Sequence, residues 1–179
     1  MIKFFKHLAV VTLLLSTQIS LLPTLPGVYK NLNIVVVVLV FTCVVYRFYL
    51  GVVYGLFVGF VLDLYSVLPF GVIIISLMIT LFIVYKIFEH LLTNKSFYTL
   101  IGLSILATLL YSFILFGFRA AVYFSMTKDL GSVQNFGAFY VNDLLWQLLF
   151  NVVLTIVMFI IFHASSRRFK AVFVDTVKG

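Results

Sequence analysis

Charged residues are scarce in this sequence. They make up 9% of its 179 residues, while hydrophobic residues make up 64%. A soluble globular domain carries roughly 25% charged residues, so water is not the main solvent of this chain. The basic residues behind its net charge of +7 stand singly or in small groups between apolar runs. This distribution argues against the continuous basic face of a nucleic-acid-binding protein.

The sequence also lacks the residues of most catalytic and metal sites. Its single cysteine, Cys43, excludes a disulfide or a cysteine-based metal site within one chain. His7, His90 and His163 are too far apart in sequence to indicate a ligand cluster. It contains no nucleophile elbow, phosphate loop, HExxH zinc motif or glycine-rich dinucleotide turn. We therefore expect no enzyme activity, no cofactor and no metal.

Long apolar runs recur along the whole chain. Each approaches the roughly 20 residues that a helix needs to cross about 30 Å of hydrocarbon. They are apolar all round, which favours helices over the alternating strands of a membrane barrel. The first run also fits a signal peptide, but the small-residue cleavage site is missing, so we expect a retained span. The sequence predicts one all-α membrane domain over 1–179, a polytopic bundle of six transmembrane helices at about 7–24, 31–47, 51–67, 71–91, 97–119 and 140–163.

Prolines, glycines and polar residues mark the predicted breaks between these spans. Pro23 ends the first span, because proline cannot continue the helical hydrogen-bond ladder. The segment at Arg47 is the only break between the second and third spans, so they should form a tight antiparallel hairpin. The longest loop is expected at about 120–139. The turn between the third and fourth spans is predicted from Ser66, Pro69 and Gly71.

The positions of lysine and arginine predict the orientation. Short loops rich in these residues stay in the cytoplasm. With the amino terminus inside, nine of the 12 basic residues fall on the inner side, including the cluster at 167–170. Lys30, Arg119 and Lys128 fall on the outer side. We expect both termini to be cytoplasmic.

Glycine spacing is the sharpest local pattern. Gly51, Gly55 and Gly59 are four residues apart and therefore lie along one face of the third span, which ends in Asp63. Glycine lets another helix approach closely, which is the usual device for helix packing in lipid. The pattern favours a packing face, with a substrate pathway as the alternative.

Asp63 should lie roughly 18 Å into the membrane from the inner turn, in the outer half. A carboxylate at this depth costs a few kcal/mol or more unless it is paired, protonated or in a wet cavity. Arg119 and Asp143 belong at the same level, so the sequence predicts a buried polar site in which Arg119 neutralises Asp63 and Asp143 and Asn142 border the pair. The alternative is that Asp63 caps the outer turn beside Ser66.

Hydroxyl and amide side chains predict a polar interior for the bundle. They recur every four residues in the first, fifth and sixth spans, where they can bond across helices or to their own backbone. The three sets are Thr12, Ser16 and Ser20; Ser104, Thr108 and Ser112; and Asp143, Gln147 and Asn151.

The central segment, about residues 31–90, resembles the MreD family of bacterial rod shape-determining membrane proteins. The resemblance rests on Asn31-Leu32-Asn33 before an apolar span, the Arg47 turn, the run from Gly55 through Gly59 to Asp63 and Ser66, and Pro69-Phe70-Gly71. It implies a non-catalytic protein of the bacterial inner membrane that supports side-wall peptidoglycan synthesis. Its implied partners are the scaffold MreC, the filament MreB, and RodA with a penicillin-binding transpeptidase.

The same resemblance supplies an alternative function. The MreD family is similar in architecture to the six-helix substrate-binding components of energy-coupling-factor vitamin transporters. A small-molecule binding or transport subunit is therefore the second hypothesis. It would require a polar pocket at the outer end, for which residues 120–143 and Asp63 could supply contacts.

Overall fold

The computed structural model describes residues 11–91, 97–127 and 130–165. Within these ranges the regular structure is entirely helical. Among the described residues, three helices are long and apolar enough to cross a membrane, over Val72–His90, Phe97–Val122 and Tyr140–Phe162. The predicted all-α membrane class is therefore confirmed. The helices are α1 (Val11–Thr24), α2 (Ile34–Val45), α3 (Phe48–Leu64), α4 (Val72–Leu91), α5 (Phe97–Thr127) and α6 (Leu130–Ser165), with a 3-10 helix at Gly27–Asn31 between α1 and α2.

Helix α1 does not keep the α-helical hydrogen-bonding pattern to its end. A π-helical turn occupies Thr17–Leu21, and a 3-10 turn follows at Leu22–Thr24. The Thr17 hydroxyl donates to the carbonyl oxygens of Leu13 and Leu14 at 3.0 and 2.9 Å. A side chain inserted into the backbone ladder in this way loosens the regular α-helical pattern.

Helix α2 is the centre of the bundle. Eight of its 12 residues are buried, and it contacts α3, α4, α5 and α6. A helix that is hydrophobic all round is stable when protein surrounds it. At about 1.5 Å per residue it is roughly 18 Å long, which is shorter than the hydrocarbon core.

Several helix limits differ from the predicted spans. Helix α2 starts at Ile34 because Asn33 is its N-cap and accepts a hydrogen bond from the Val36 N–H at 3.2 Å. The loop expected over 120–139 is wrong for its described residues, since α5 continues to Thr127 and α6 begins at Leu130. No proline interrupts this stretch, and polar residues are compatible with a helix that extends beyond the hydrocarbon. Residues 128 and 129 and the basic cluster at 167–170 lie outside the described residues.

Candidate functional site

A polar cavity of about 390 Å³ lies at one end of the bundle. Its walls come from α1, the segment before α2, the α3–α4 connection, α5 and α6. These parts of the sequence are far apart along the chain, and the fold brings them together at this end of the bundle. The polar side chains that line the cavity are Gln18, Asn31, Asn33, Tyr65, Ser66, Tyr111, Ser112, Arg119, Tyr140, Asp143 and Gln147.

Asp63 lies beside this cavity and caps the start of α4. Its side chain is 3% exposed, and its two carboxylate oxygens accept hydrogen bonds from the Ile73 and Ile74 N–H groups at 2.9 and 3.0 Å. The first N–H groups of a helix have no partner within the helix, and its N-terminus favours negative charge. Gly71, which precedes the helix, has no side chain to fill this role. The carboxylate of the preceding helix fills it instead.

The α3–α4 turn holds that arrangement in place. The Ser66 hydroxyl oxygen accepts from the Leu68 N–H at 3.0 Å, and the Pro69 carbonyl accepts from the Val72 N–H at 3.3 Å. Gly71 has a φ of +95°, a conformation that other residues rarely adopt. The turn residues chosen from the sequence therefore shape the connection that brings the start of α4 to Asp63.

The three glycines of α3 lie buried against two different neighbours. A Cβ at Gly51 would meet the Cys43 Sγ of α2, and one at Gly55 would lie 2.7 Å from the Met78 Cε of α4. At Gly59 it would lie 3.2 Å from the Ile74 Cα, which is backbone. This close approach brings α4 within hydrogen-bonding reach of Asp63, one helical turn further along.

Side-chain amides satisfy the non-helical backbone before α2. The Gln18 Oε1 accepts from the Ile34 N–H at 3.0 Å, and the Asn151 Oδ1 accepts from the Asn33 N–H at 3.0 Å. Irregular backbone at membrane depth needs such internal partners. Asn151 also donates to the Thr108 hydroxyl at 2.9 Å and so links the segment before α2 to both α5 and α6.

Hydroxyl and amide groups continue this network along the α5–α6 interface. The Ser104 and Thr155 hydroxyls share a hydrogen bond of 2.7 Å, and the Ser112 hydroxyl donates to the Gln147 Oε1 at 2.8 Å. Since the residues are four apart on each helix, the pairs stack along one shared face. The polar sets predicted in the fifth and sixth spans thus meet each other.

Arg119 and Asp143 both line the cavity, but neither is paired with Asp63. The Asp143 Oδ1 accepts from the Asn31 amide at 2.9 Å. Arg119 forms no ion pair with another described residue, and both oxygens of Asp63 are occupied by the backbone of α4. The expected direct neutralisation of Asp63 by Arg119 is therefore not formed, because the helix N-terminus supplies the compensating positive potential. Asp63 does act as a cap, but its carboxylate caps the Ile73 and Ile74 N–H groups at the start of α4 and not the turn beside Ser66.

Sequence reasoning missed several residues of this site, among them Tyr111. Asn31 and Asn33 entered only through the family resemblance, and Gln18 was not singled out. An asparagine directly before an apolar run is an N-cap signal, which identifies Asn33. Gln18 is the one amide among the polar side chains of the first predicted span, and this is the signal that could have identified it.

Comparison with known proteins gives a family match and no individual relative. The family model described as rod shape-determining protein MreD matches residues 2–168, which extends well beyond the central segment in which the resemblance was first visible. No curated protein and no solved structure matches the chain, so the likeness to energy-coupling-factor components stays a prediction. Because the match covers nearly the whole chain, this protein belongs to the MreD family of rod shape-determining membrane proteins.

Proposed function

We propose that this protein is a non-catalytic membrane component of the bacterial cell-elongation complex, in which it supports side-wall peptidoglycan synthesis. Membership of the MreD family, over residues 2–168, carries the proposal. The family is defined by its role in rod shape, and the apolar helices provide a membrane anchor for such a role. The proposed partners are an MreC-like scaffold, an MreB-like filament, and RodA with a penicillin-binding transpeptidase.

We place the protein in the inner membrane with both termini in the cytoplasm. The uneven distribution of lysine and arginine supports this orientation. It puts the polar cavity and the α3–α4 turn at the outer surface. That surface is where a scaffold outside the membrane would meet the protein.

Depletion in the native bacterium tests the proposed function. Rod-shaped cells should become round as the protein is lost, and a copy supplied in trans should restore the rods. Gly102→Ala serves as the control copy, because a Cβ at this position meets nothing within 4 Å. Depleted cells that keep a normal rod shape and normal side-wall synthesis would contradict the proposal.

The polar cavity supports a second candidate function, a small-molecule binding subunit of a transporter. Its volume of about 390 Å³ lies within the range of known ligand sites, about 300–1,000 Å³. Neighbouring genes separate the two candidates. An adjacent MreC-like coiled-coil protein favours the elongation complex, whereas an adjacent pair of ATPases favours the transporter.

A further inference from the structure

We propose that the cavity at the outer end of the bundle binds a small anion, a phosphate or carboxylate that also carries a hydroxyl or amino group. Arg119 and Gln147 hold the anionic group, and Asp143 receives a hydrogen bond from the neutral or cationic part. The proposal does not rest on the cell-shape role, because anion binding is measured on the purified protein and cell shape in the native bacterium.

Arg119 is the first element of the site. It lines the cavity, and within the described residues it has no hydrogen bond or ion pair. The guanidinium group has five donors in a planar fork that matches a carboxylate or phosphate.

Gln147 supplies further donors deeper in the cavity. Its Oε1 is occupied by the Ser112 hydroxyl at 2.8 Å, so the remaining capacity of this amide is its NH₂ group, which has no partner among the described residues. An amide oriented in this way presents donors only. Together with the guanidinium of Arg119, it offers donors and a positive charge to an acceptor-rich anion.

Asp143 narrows the class of anion. Its Oδ1 accepts from the Asn31 amide at 2.9 Å, and its second oxygen has no partner among the described residues. A bare inorganic anion would place negative charge near this oxygen with nothing to donate to it. A ligand with an adjacent hydroxyl or amino group avoids that repulsion, as in glycerol phosphate or phosphoethanolamine, and also in the headgroups of phospholipids.

The volume of the cavity suits a group of this size. At about 390 Å³ it lies within the range of known small-molecule sites, about 300–1,000 Å³. A glycerol phosphate headgroup fits within that space, whereas the acyl chains of a complete lipid would have to remain outside it.

Calorimetry on the purified full-length protein in a neutral detergent tests the proposal. The soluble probes are glycerol 3-phosphate and phosphoethanolamine, with glycerol as the neutral control. The lipid probe is dihexanoyl phosphatidylglycerol below its micelle concentration. We expect saturable binding of at least one anionic probe and none of glycerol. Binding of the soluble probes identifies a free small molecule, and binding of the acylated probe alone identifies a lipid headgroup.

Three variants assign the binding to this cavity. Arg119→Gln should weaken it by about tenfold or more, because a charge that contacts the anion is removed. Gln147→Glu keeps an oxygen for Ser112 but replaces the donors with negative charge, so it should also weaken binding. Arg47→Gln is the matched control, since Arg47 lies at the other end of α3, and should leave affinity unchanged. The absence of anion binding, or binding that neither cavity variant changes, would overturn the proposal.

Discussion

Replacement of Asp63 should destabilise the protein more than replacement of any exposed carboxylate. The side chain is 3% exposed and accepts two backbone hydrogen bonds at the start of α4. Asp63→Leu leaves two partly buried N–H groups without their side-chain acceptor, at about 1–3 kcal/mol each, and relief from burying a charge offsets part of that cost. We expect a net loss of about 2–4 kcal/mol in the free energy of unfolding.

Asp63→Asn separates the hydrogen bonds from the charge. The amide keeps one acceptor oxygen but turns an NH₂ group toward the second N–H. The expected loss is about 1–3 kcal/mol, in line with one lost hydrogen bond to a charged group. Asp143→Asn is the control, because Asp143 is exposed and accepts a single hydrogen bond from Asn31, and it should cost less than about 1 kcal/mol.

Equilibrium unfolding in mixed detergent micelles, monitored by the accessibility of the buried thiol of Cys43, measures these differences. A stability of Asp63→Leu within about 0.5 kcal/mol of the original protein would refute the capping role. So would an equal loss for Asp63→Asn and Asp143→Asn.

The same unfolding assay checks three further predictions. Gly59→Val should lower the free energy of unfolding by about 1–3 kcal/mol more than Gly102→Val does. The new Cβ at Gly59 lies 3.2 Å from the backbone of α4, whereas a Cβ at Gly102 meets nothing within 4 Å. Equal losses would contradict close packing at Gly59. Asn151→Leu should cost about 1–3 kcal/mol, since it removes the acceptor of the Asn33 N–H and one of the two hydrogen bonds of the Thr108 hydroxyl, which still donates to the Ser104 carbonyl. An unchanged stability would show that neither lost bond matters. A double-mutant cycle between Asp63 and Arg119 should give a coupling energy below about 0.5 kcal/mol. A coupling energy several times larger would show that the two side chains form a direct ion pair.

The helical membrane class and the family could be predicted because both depend on local sequence. Hydrophobicity and run length specify a membrane helix without knowledge of its neighbours. The four-residue spacing of Gly51, Gly55 and Gly59 placed them on one face in the same way. The family was recognisable from the order of residues around Asp63, and the match over residues 2–168 confirms it.

The partner of Asp63 could not be predicted, because it is backbone and not a side chain. Searching the sequence for an opposite charge leads to Arg119, whereas the α3–α4 turn delivers the N–H groups of Ile73 and Ile74. The start of any helix can provide such backbone donors, so no residue type in the sequence identifies them. Only the turn geometry at Gly71 reveals which helix start is near.

The remaining parts of the site depend on contacts between distant segments. The hydrogen bond from the Asn33 N–H to Asn151 joins residues 118 positions apart. Periodicity placed Asn151 on a polar face of its helix but did not indicate which element that face would meet. The central position of α2 is seen in the burial of eight of its 12 residues and in its contacts with four other helices, and neither can be read from the hydrophobicity of its sequence.

Cysteine labelling from outside the cell measures most directly whether α3 crosses the membrane with Asp63 at its outer end. In a Cys43→Ala background, Val67→Cys places a thiol at a fully exposed position of the α3–α4 turn, and Tyr49→Cys places one at the exposed opposite end of α3. A membrane-impermeant maleimide should label Val67→Cys in intact spheroplasts and Tyr49→Cys only after lysis. Labelling of Tyr49→Cys in intact spheroplasts with protection of Val67→Cys would contradict the outward placement of Asp63 and of the polar cavity.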